Sequence, residues 1–250
     1  MLKALIFDVD GTLADTERDG HRVAFNQAFA DAHLDWDWSV ELYEALLAVT
    51  GGKERIRHYI DLHCPDFSPP GDLGEFIAGL HRSKTDHYCQ LLAEGGIPLR
   101  TGVQRLLQEA RAEGLRLAIA TTTTLPNVTV LLEHTLGPDS LDWFDVIAAG
   151  DIVPAKKPAP DIYDYVLDKM GWLPEECLAF EDSGNGLISA QQARLKTVIT
   201  INDYTRTHCF DDAVLVLDHF GEPDQPFQVL AGPAIDATYF TMDLARSLAD

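Results

Sequence analysis

Two carboxylates lie close together near the start of the chain and could do chemistry as a pair. Asp8 and Asp10 occur in the run Phe7-Asp8-Val9-Asp10-Gly11-Thr12, directly after a short apolar segment. A carboxylate can accept a phosphoryl group and pass it to water, while a second acid moves the protons of the leaving oxygen and the water. An Asp after a strand more often only forms a turn, so the pair needs support from elsewhere in the chain.

Further polar side chains follow three later apolar segments. Thr121 and the pair Glu181-Asp182 come directly after two of them, and Lys157 lies in a short loop behind the third. A lysine and a hydroxyl can hold the charge of a transferring phosphoryl group, and several carboxylate oxygens suit Mg²⁺. We therefore predict that these groups meet at one place and carry out magnesium-dependent phosphoryl transfer.

Short apolar segments predict the elements that position these groups. Six runs, at residues 2–7, 115–120, 146–149, 177–180, 197–201 and 213–217, are nearly continuous in apolar residues. They are too short for helices and are typical of parallel strands buried on both faces. Helical patterns between them, including 102–113, 161–170 and 186–193, predict an α/β fold with a Rossmann-like doubly wound parallel sheet. Ligands of such sheets bind beyond the carboxyl ends of the strands, where all the polar groups above are expected.

The stretch from about residue 14 to residue 96 has a different pattern. It carries helical periodicity at 21–32, 40–47, 54–62 and 73–92, and no convincing strand. We predict a helical cap domain of residues 14–96, inserted after the first strand of a core domain made of residues 1–13 and 97–250. The tail after about residue 221 has three prolines and a helical pattern at 240–248, and no function is assigned to it.

Composition narrows the possible partners and the compartment. The formal net charge of −21 disfavours binding to nucleic acids and to anionic membranes. The four cysteines form no C-x-x-C pair, which indicates free thiols in a reducing compartment, the cytoplasm or a plastid stroma after processing. The first apolar run is too short for a signal peptide or a membrane span. We expect a monomer whose partner is a small molecule.

Taken together, the motifs resemble those of the haloacid dehalogenase superfamily of phosphohydrolases. The run Asp8-Val9-Asp10-Gly11-Thr12 is similar to the first motif of that superfamily, Thr121 to the second, Lys157 to the third, and Glu181-Asp182-Ser183 to the fourth. Their order and spacing agree over roughly residues 1–220. The resemblance implies that the helical insert is a mobile cap, whose closure excludes water and brings substrate-reading residues to the site.

The same resemblance implies a role for each motif residue. Asp8 would be the nucleophile, Asp10 the general acid and base, and Thr121 and Lys157 the groups that hold the phosphoryl group. The implied Mg²⁺ ligands are the Asp8 side chain, the Asp10 backbone carbonyl and Asp182, with Glu181 either sharing the metal or lying beside it. An acid at position 10 argues against the dehalogenases and phosphonatases of the superfamily, which lack one there.

Within the superfamily the chain most resembles the CbbY-like phosphatases and, next, the β-phosphoglucomutases. The resemblance rests on the segments 50–56, 120–127, 144–150 and 204–206. It implies a phosphatase acting on a sugar phosphate, with xylulose-1,5-bisphosphate as the preferred substrate. Two alternatives stay open: a sugar phosphomutase of the β-phosphoglucomutase kind, and a non-catalytic sugar-phosphate sensor, which need not keep all the motif residues together.

Residues in the cap and behind the second strand are candidates for substrate contact. Each has a structural alternative, because a glycine pair can break a helix, a Lys-Glu-Arg run can start one, and a buried histidine can simply be satisfied. Between Thr16 and His21 the chain is also one residue longer than the pattern of the family. The candidates are Glu17, His21, Gly51, Gly52, Lys53, Arg55, Thr122, Thr123 and Asn127.

Overall fold

The computed structural model describes all residues, 1–250, and its central element is a seven-stranded sheet. The strands are β1 (Ala4–Phe7), β2 (Arg116–Thr121), β3 (Val146–Ala149), β4 (Cys177–Glu181), β5 (Lys196–Thr200), β6 (Leu215–Leu217) and β7 (Val229–Ala231). Their order is β3-β2-β1-β4-β5-β6-β7, with β1 to β6 parallel and β7 antiparallel to β6. The prediction of a doubly wound α/β sheet is confirmed.

Helices cover both faces of this sheet and form the insert between β1 and β2. The insert holds a π-helical turn (Glu17–His21), α1 (Arg22–Asp31), α2 (Val40–Leu46), α3 (Gly52–His63) and α4 (Leu73–Ala93). The remaining helices are α5 (Val103–Ala112), α6 (Leu125–Leu136), α7 (Asp161–Met170), α8 (Gly184–Gln192) and α9 (Met242–Ala249). None of the helices has both the length and the apolar character needed to cross a membrane.

Alternate residues of each strand serve the two faces of the sheet, because side chains in a strand point to opposite sides in turn. Phe7, Ile119 and Phe180 belong to a large apolar cluster shared with α5, α6 and α9. Ala118 and Ala179 belong to a smaller cluster shared with α7. Alanines on this second face let the covering helix pack close to the strands, so both faces are buried, as the continuous apolar runs predicted.

An aromatic cluster holds the insert together. Phe25, Phe29 and Trp38 are almost completely buried and pack ring against ring at centroid distances of 4.7–6.1 Å. Tyr204, from the loop after β5, joins this cluster and makes an edge contact with Tyr43 of α2 at 6.1 Å. A residue of the sheet domain therefore closes the aromatic core of the cap.

The insert joins the sheet domain through two adjacent segments. Ala14 and Leu99 form an isolated antiparallel bridge, and the Arg100 backbone N–H donates to the Leu13 carbonyl at 2.8 Å. This pair of segments lies at the predicted boundaries near residues 14 and 97. The helical insert is therefore connected to the sheet domain by two segments that are paired with each other.

Several predicted element bounds need correction. The first strand begins at Ala4 rather than residue 2, the sixth begins at Leu215 rather than residue 213, and the last helix begins at Met242, with the Thr241 hydroxyl capping it. Strand β7 was not predicted at all. Its three residues are exposed at the sheet edge, so no alternation of apolar and polar residues marks them.

Candidate active site

The carboxyl ends of β1, β2 and β4 bring the predicted groups into contact. The Lys157 ammonium donates to Asp8 Oδ1 at 2.7 Å, to Glu181 Oε1 at 2.5 Å and to the Ala120 carbonyl at 2.9 Å. Lys157 reaches this edge from the loop after β3, and Thr121 lies beside it as a buried residue of β2. The register of β1 between β2 and β4 explains why groups over a hundred residues apart share one site.

This site holds more negative than positive charge. The carboxylate oxygens of Asp8, Glu181 and Asp182 lie within 4.8 Å of one another, and all three residues are buried. Burial raises the pKa of Asp8 to about 8, and burial together with the neighbouring carboxylates raises the pKa of Asp182 well above its ordinary value. Lys157 balances only part of that charge. Three clustered oxygen donors with an uncompensated charge fit a divalent cation such as Mg²⁺, so a metal is chemically suited to these residues.

Glu181 is committed mainly to Lys157. Its Oε1 accepts from the Lys157 ammonium and from the Tyr163 hydroxyl at 2.6 Å, while its Oε2 lies against Gly186 of α8. A Cβ at position 186 would come within 1.9 Å of that oxygen, so only glycine fits there. The carboxylate therefore fixes the direction of the lysine side chain, and its Oε1 accepts one hydrogen bond from Lys157 and one from Tyr163.

Asp10 has different surroundings from Asp8. Its Oδ1 accepts from the Thr16 hydroxyl at 2.5 Å and lies 2.9 Å from His21 Nε2, while Lys84 Nζ lies 2.7 Å from His21 Nδ1. Burial raises the pKa of Asp10, but His21 and the Thr16 hydroxyl outweigh it and hold that pKa below its ordinary value. A protonated Lys84 requires Nδ1 to accept, which directs the Nε2 proton of His21 toward Asp10.

A π-helical turn precedes α1 and ends at His21. The Arg22 backbone N–H donates to the Glu17 carbonyl, an i→i+5 bond that closes a turn one residue longer than an α-helical turn. His21, at the end of this turn, reaches Asp10. Gly20 makes this possible, because a Cβ there would lie 2.6 Å from an Ile97 methyl group.

The cap supplies one wall of a cavity of about 410 Å³ above Asp8 and Asp10. On this wall the Tyr43 hydroxyl donates to Glu17 Oε2 at 2.5 Å and accepts from Arg55 Nη1 at 2.9 Å. Arg55 is buried, and its guanidinium lies 4.0 Å from Glu17. Glu17 and Arg55 thus line the space above the two aspartates, and the fully buried Tyr43 hydroxyl joins them from behind.

A smaller cavity, of about 40 Å³, lies next to Asp10 between the cap and the loop after β2. Asn127 donates to the Thr123 hydroxyl at 2.8 Å on one side of it. The opposite side carries the buried Lys84, whose pKa burial lowers to about 8. The ten remaining lining residues are Asp10, Glu17, His21, Phe25, Gly51, Gly52, Arg55, His81, Thr122 and Thr124.

Two of the predicted substrate contacts have other partners in the structure. The Lys53 ammonium pairs with Asp151 of the loop after β3 and lines neither cavity. Gly52 does permit a close approach, but the group that approaches is His81, whose Nε2 would lie 2.5 Å from a Cβ at position 52. Lys53 therefore links cap to core here, and Gly52 lets α3 pack on α4.

Tyr43 and Lys84 were missed by the sequence reasoning. Lys84 could have been found, because it occupies a position in the buried stripe of α4, between Leu80 and Tyr88. A lysine in an otherwise apolar stripe indicates a buried charge with a partner elsewhere. Tyr43 carried no such signal, since an aromatic residue on the buried face of a helix is ordinary packing.

Comparison with known proteins agrees with this geometry. The family described as haloacid dehalogenase-like hydrolase matches residues 2–194. The CbbY protein of Cupriavidus necator is 48% identical over 225 residues, which cover 90% of this chain and 88% of that protein. A CBBY-like protein of Arabidopsis thaliana is 38% identical over 225 residues, covering 89% of this chain and 70% of the relative.

Solved structures give the same result. CbbY from Rhodobacter sphaeroides, crystallised with phosphate and, as a mutant, with xylulose-1,5-bisphosphate, superposes with a TM-score of 0.82 at 46% identity. The match covers 88% of this chain and 95% of the crystallised one. Sequence, fold and the charged edge of the sheet thus agree, and the chain belongs to the haloacid dehalogenase-like hydrolases as a CbbY-like phosphatase.

Proposed function

We propose that the protein is a Mg²⁺-dependent sugar-phosphate phosphatase that forms an aspartyl-phosphate on Asp8, with xylulose-1,5-bisphosphate as its preferred substrate. One observation carries the proposal: Asp8 and Asp10 face the same cavity from opposite electrostatic surroundings. Asp8 lies among the clustered carboxylates and Lys157, whereas Asp10 lies against His21 and Lys84. Two carboxyls with surroundings this different are suited to different chemical roles.

In the first step an Asp8 oxygen attacks phosphorus, and the bond from phosphorus to the sugar oxygen breaks. That oxygen takes a proton from the Asp10 carboxyl, which is left as a carboxylate hydrogen-bonded to His21. In the second step water attacks the phosphorus of the aspartyl-phosphate, Asp10 takes a proton from the water, and phosphate leaves with Asp8 restored. The lowered pKa of Asp10 keeps it ionised, the form that can accept this proton.

Lys157 and Thr121 hold the negative charge of the transferring group at the edge of the sheet. Asp8, Asp182 and the Asp10 backbone carbonyl are the groups that would hold Mg²⁺, which when bound neutralises the carboxylates and the phosphoryl oxygens. Glu181 orients Lys157 through the hydrogen bond between them. Because its Oε1 is occupied in this way, we infer that Glu181 lies beside the metal ligands and does not bind the metal directly.

The cap residues support a substrate with two phosphates. Arg55 and Lys84 are buried cations that line the smaller cavity, on a protein whose net charge is −21. Buried positive groups on such a chain suit a second anionic group of the substrate. Glu17, Asn127 and Thr123 present acceptors and donors between the two charged ends, where sugar hydroxyls would lie. The xylulose-1,5-bisphosphate complex of the Rhodobacter sphaeroides relative supports the same substrate class.

Phosphate release from a panel of sugar monophosphates and bisphosphates, with Mg²⁺ and with excess EDTA, tests the proposal. We expect kcat/KM for xylulose-1,5-bisphosphate to exceed that for xylulose-5-phosphate by about tenfold or more, because one charge-assisted contact contributes roughly 1.5–3 kcal/mol. A preference for a nucleotide or an amino-acid phosphate would overturn the substrate class. Phosphorus NMR of the products separates the mutase alternative, which would interconvert sugar monophosphates without releasing phosphate.

A further inference from the structure

Arg100, in the segment between α4 and α5, has a buried guanidinium that lies outside both cavities above the catalytic pair. Its side chain is only 8% exposed, and it forms an ion pair with Asp15, whose Oδ1 lies 3.2 Å from Nε. The other N–H groups donate to oxygens of Thr200 at 3.0 and 3.1 Å, to the Asp218 carbonyl at 2.8 Å, and to the carbonyls of Gly11 and Ile201.

These acceptors all lie at the carboxyl edge of the sheet. Gly11 directly follows Asp10, Thr200 ends β5 and Ile201 follows it, and Asp218 follows β6. A planar guanidinium with five fixed donors can hold several carbonyls at once, whereas an ammonium on a flexible stem cannot reproduce that fork. Arg100 therefore ties three separate loops of the catalytic edge to one rigid group.

Two of these loops enclose Asp182. The Asn202 side chain donates to Asp182 Oδ2 at 2.6 Å, and Asn202 is the residue after Ile201. A Cβ at position 11 would lie 2.2 Å from the same Asp182 oxygen and 2.5 Å from Asn202 Nδ2. The direction of the Asp182 carboxylate thus depends on the placement of Gly11 and Asn202. Arg100 holds Gly11 through its own carbonyl and Asn202 through the carbonyl of the preceding residue, Ile201.

Arg100 also belongs to one of the two paired segments that connect the cap. Its backbone N–H donates to the Leu13 carbonyl at 2.8 Å, next to the bridge between Ala14 and Leu99 that pairs the two linkers. The side chain that clamps the catalytic loops is therefore attached to the segment through which the cap is connected.

We propose that Arg100 is a positioning residue that sets the Asp182 carboxylate for a divalent cation and ties the paired connecting segments of the cap to the metal-binding edge. This inference rests on the proposed Mg²⁺ dependence. Residues that orient metal ligands typically change metal affinity by about 10- to 100-fold when they are replaced, without touching the metal themselves.

The test compares Arg100→Lys with Arg105→Lys, a matched control. Arg105 also holds main-chain carbonyls, those of Phe240 and Gly221, each at 2.8 Å, but it lies against the tail of the chain, away from the site. The readouts are the Mg²⁺ concentration giving half of the metal-induced rise in Tm, and the concentration giving half-maximal phosphate release. We expect Arg100→Lys to raise both by about 10-fold or more, and Arg105→Lys to lower Tm while leaving both concentrations unchanged.

An Arg100→Lys protein that folds and keeps the wild-type Mg²⁺ half-saturation would overturn the proposal. Asn202→Ala removes only the hydrogen bond from the Asn202 side chain to Asp182. It is the deciding variant if Arg100→Lys does not fold. A shift in the same direction supports the proposal, and an unchanged Mg²⁺ half-saturation overturns it. A wild-type protein whose Tm and phosphate release ignore Mg²⁺ would instead contradict the proposed function, so the two failures are distinct.

Discussion

Asp8→Asn and Lys157→Met alter two side chains that are in contact at 2.7 Å, yet we expect opposite effects on the free energy of unfolding without metal. The site buries three carboxyl groups against the Lys157 ammonium. Asparagine at position 8 removes one of the buried negative charges that exceed the single positive charge of Lys157. Methionine at position 157 removes that positive charge. Both variants are expected to lose phosphate release, so only stability separates them.

The structure sets the size of each effect. Burial raises the pKa of Asp8 to about 8, about four pH units above its ordinary 3.8. The resulting penalty to the metal-free fold is absent below pH 4, grows as the pH rises and is complete above pH 8, where it reaches at most about 6 kcal/mol. The weakened hydrogen bond to Lys157 offsets up to about 3 kcal/mol. We expect Asp8→Asn to stabilise the metal-free protein by about 1–3 kcal/mol at pH 8.

Lys157→Met leaves buried carboxylates without their partner, which typically costs about 3–5 kcal/mol. For a chain of this length 1 kcal/mol changes Tm by roughly 2–4 °C. Thermal unfolding in EDTA at pH 8 should therefore give a higher Tm for Asp8→Asn and a Tm lower by about 6–20 °C for Lys157→Met. Lys156→Met is the control, because the neighbouring Lys156 lies outside the carboxylate cluster, where it pairs with the exposed Asp151 and donates to the Gly150 carbonyl. Its loss should cost only about 1–2 kcal/mol.

A loss of stability in Asp8→Asn as large as that in Lys157→Met would refute this reasoning. It would mean that Asp8 is held as one half of a balanced ion pair, with no surplus of negative charge for a cation to neutralise. Repeating the scans with saturating Mg²⁺ adds a second check, since the metal should raise the Tm of the wild type more than that of Asp8→Asn.

Three further predictions follow from the cap and the metal site. Lys84→Met should raise KM for a sugar bisphosphate about tenfold more than KM for the matching monophosphate, and equal increases would argue against a distal phosphate contact. Gly20→Ala would bring a methyl group within 2.6 Å of Ile97 and 2.9 Å of Tyr88, so kcat/KM should fall by about tenfold or more. Gly79→Ala, an unhindered position in α4, should leave kcat/KM unchanged, and equal kinetics for both would contradict a role for the π-helical turn. The Mg²⁺ concentration for half of the metal-induced rise in Tm should fall about tenfold per pH unit between pH 6 and 8, because Mg²⁺ displaces a proton from Asp8, whose pKa is about 8. A Mg²⁺ concentration that does not change with pH would argue against competition between metal and proton at Asp8.

The local pattern of apolar residues was enough to predict much of the fold. Continuous apolar runs of four to six residues located β1 to β5 with errors of one or two residues, since strands buried on both faces need such runs. The grouping of Asp8, Lys157 and Asp182 followed from the rule that parallel strands end at one edge. Strand β7 lacked any such signal, because an exposed three-residue edge strand requires no particular residue pattern.

The sequence by itself determined the sheet, the helical insert and the chemistry at the carboxyl edge, because those depend on periodicity and on the ends of strands. Only the tertiary structure decided which cap residues face that edge. Lys84 meets His21 across 63 positions, and Arg100 meets Asp218 across 118. Lys53 likewise forms an ion pair with Asp151, a residue of the loop after β3. Contacts over such separations depend on packing within the cap, within the core and between the two, which no local pattern records.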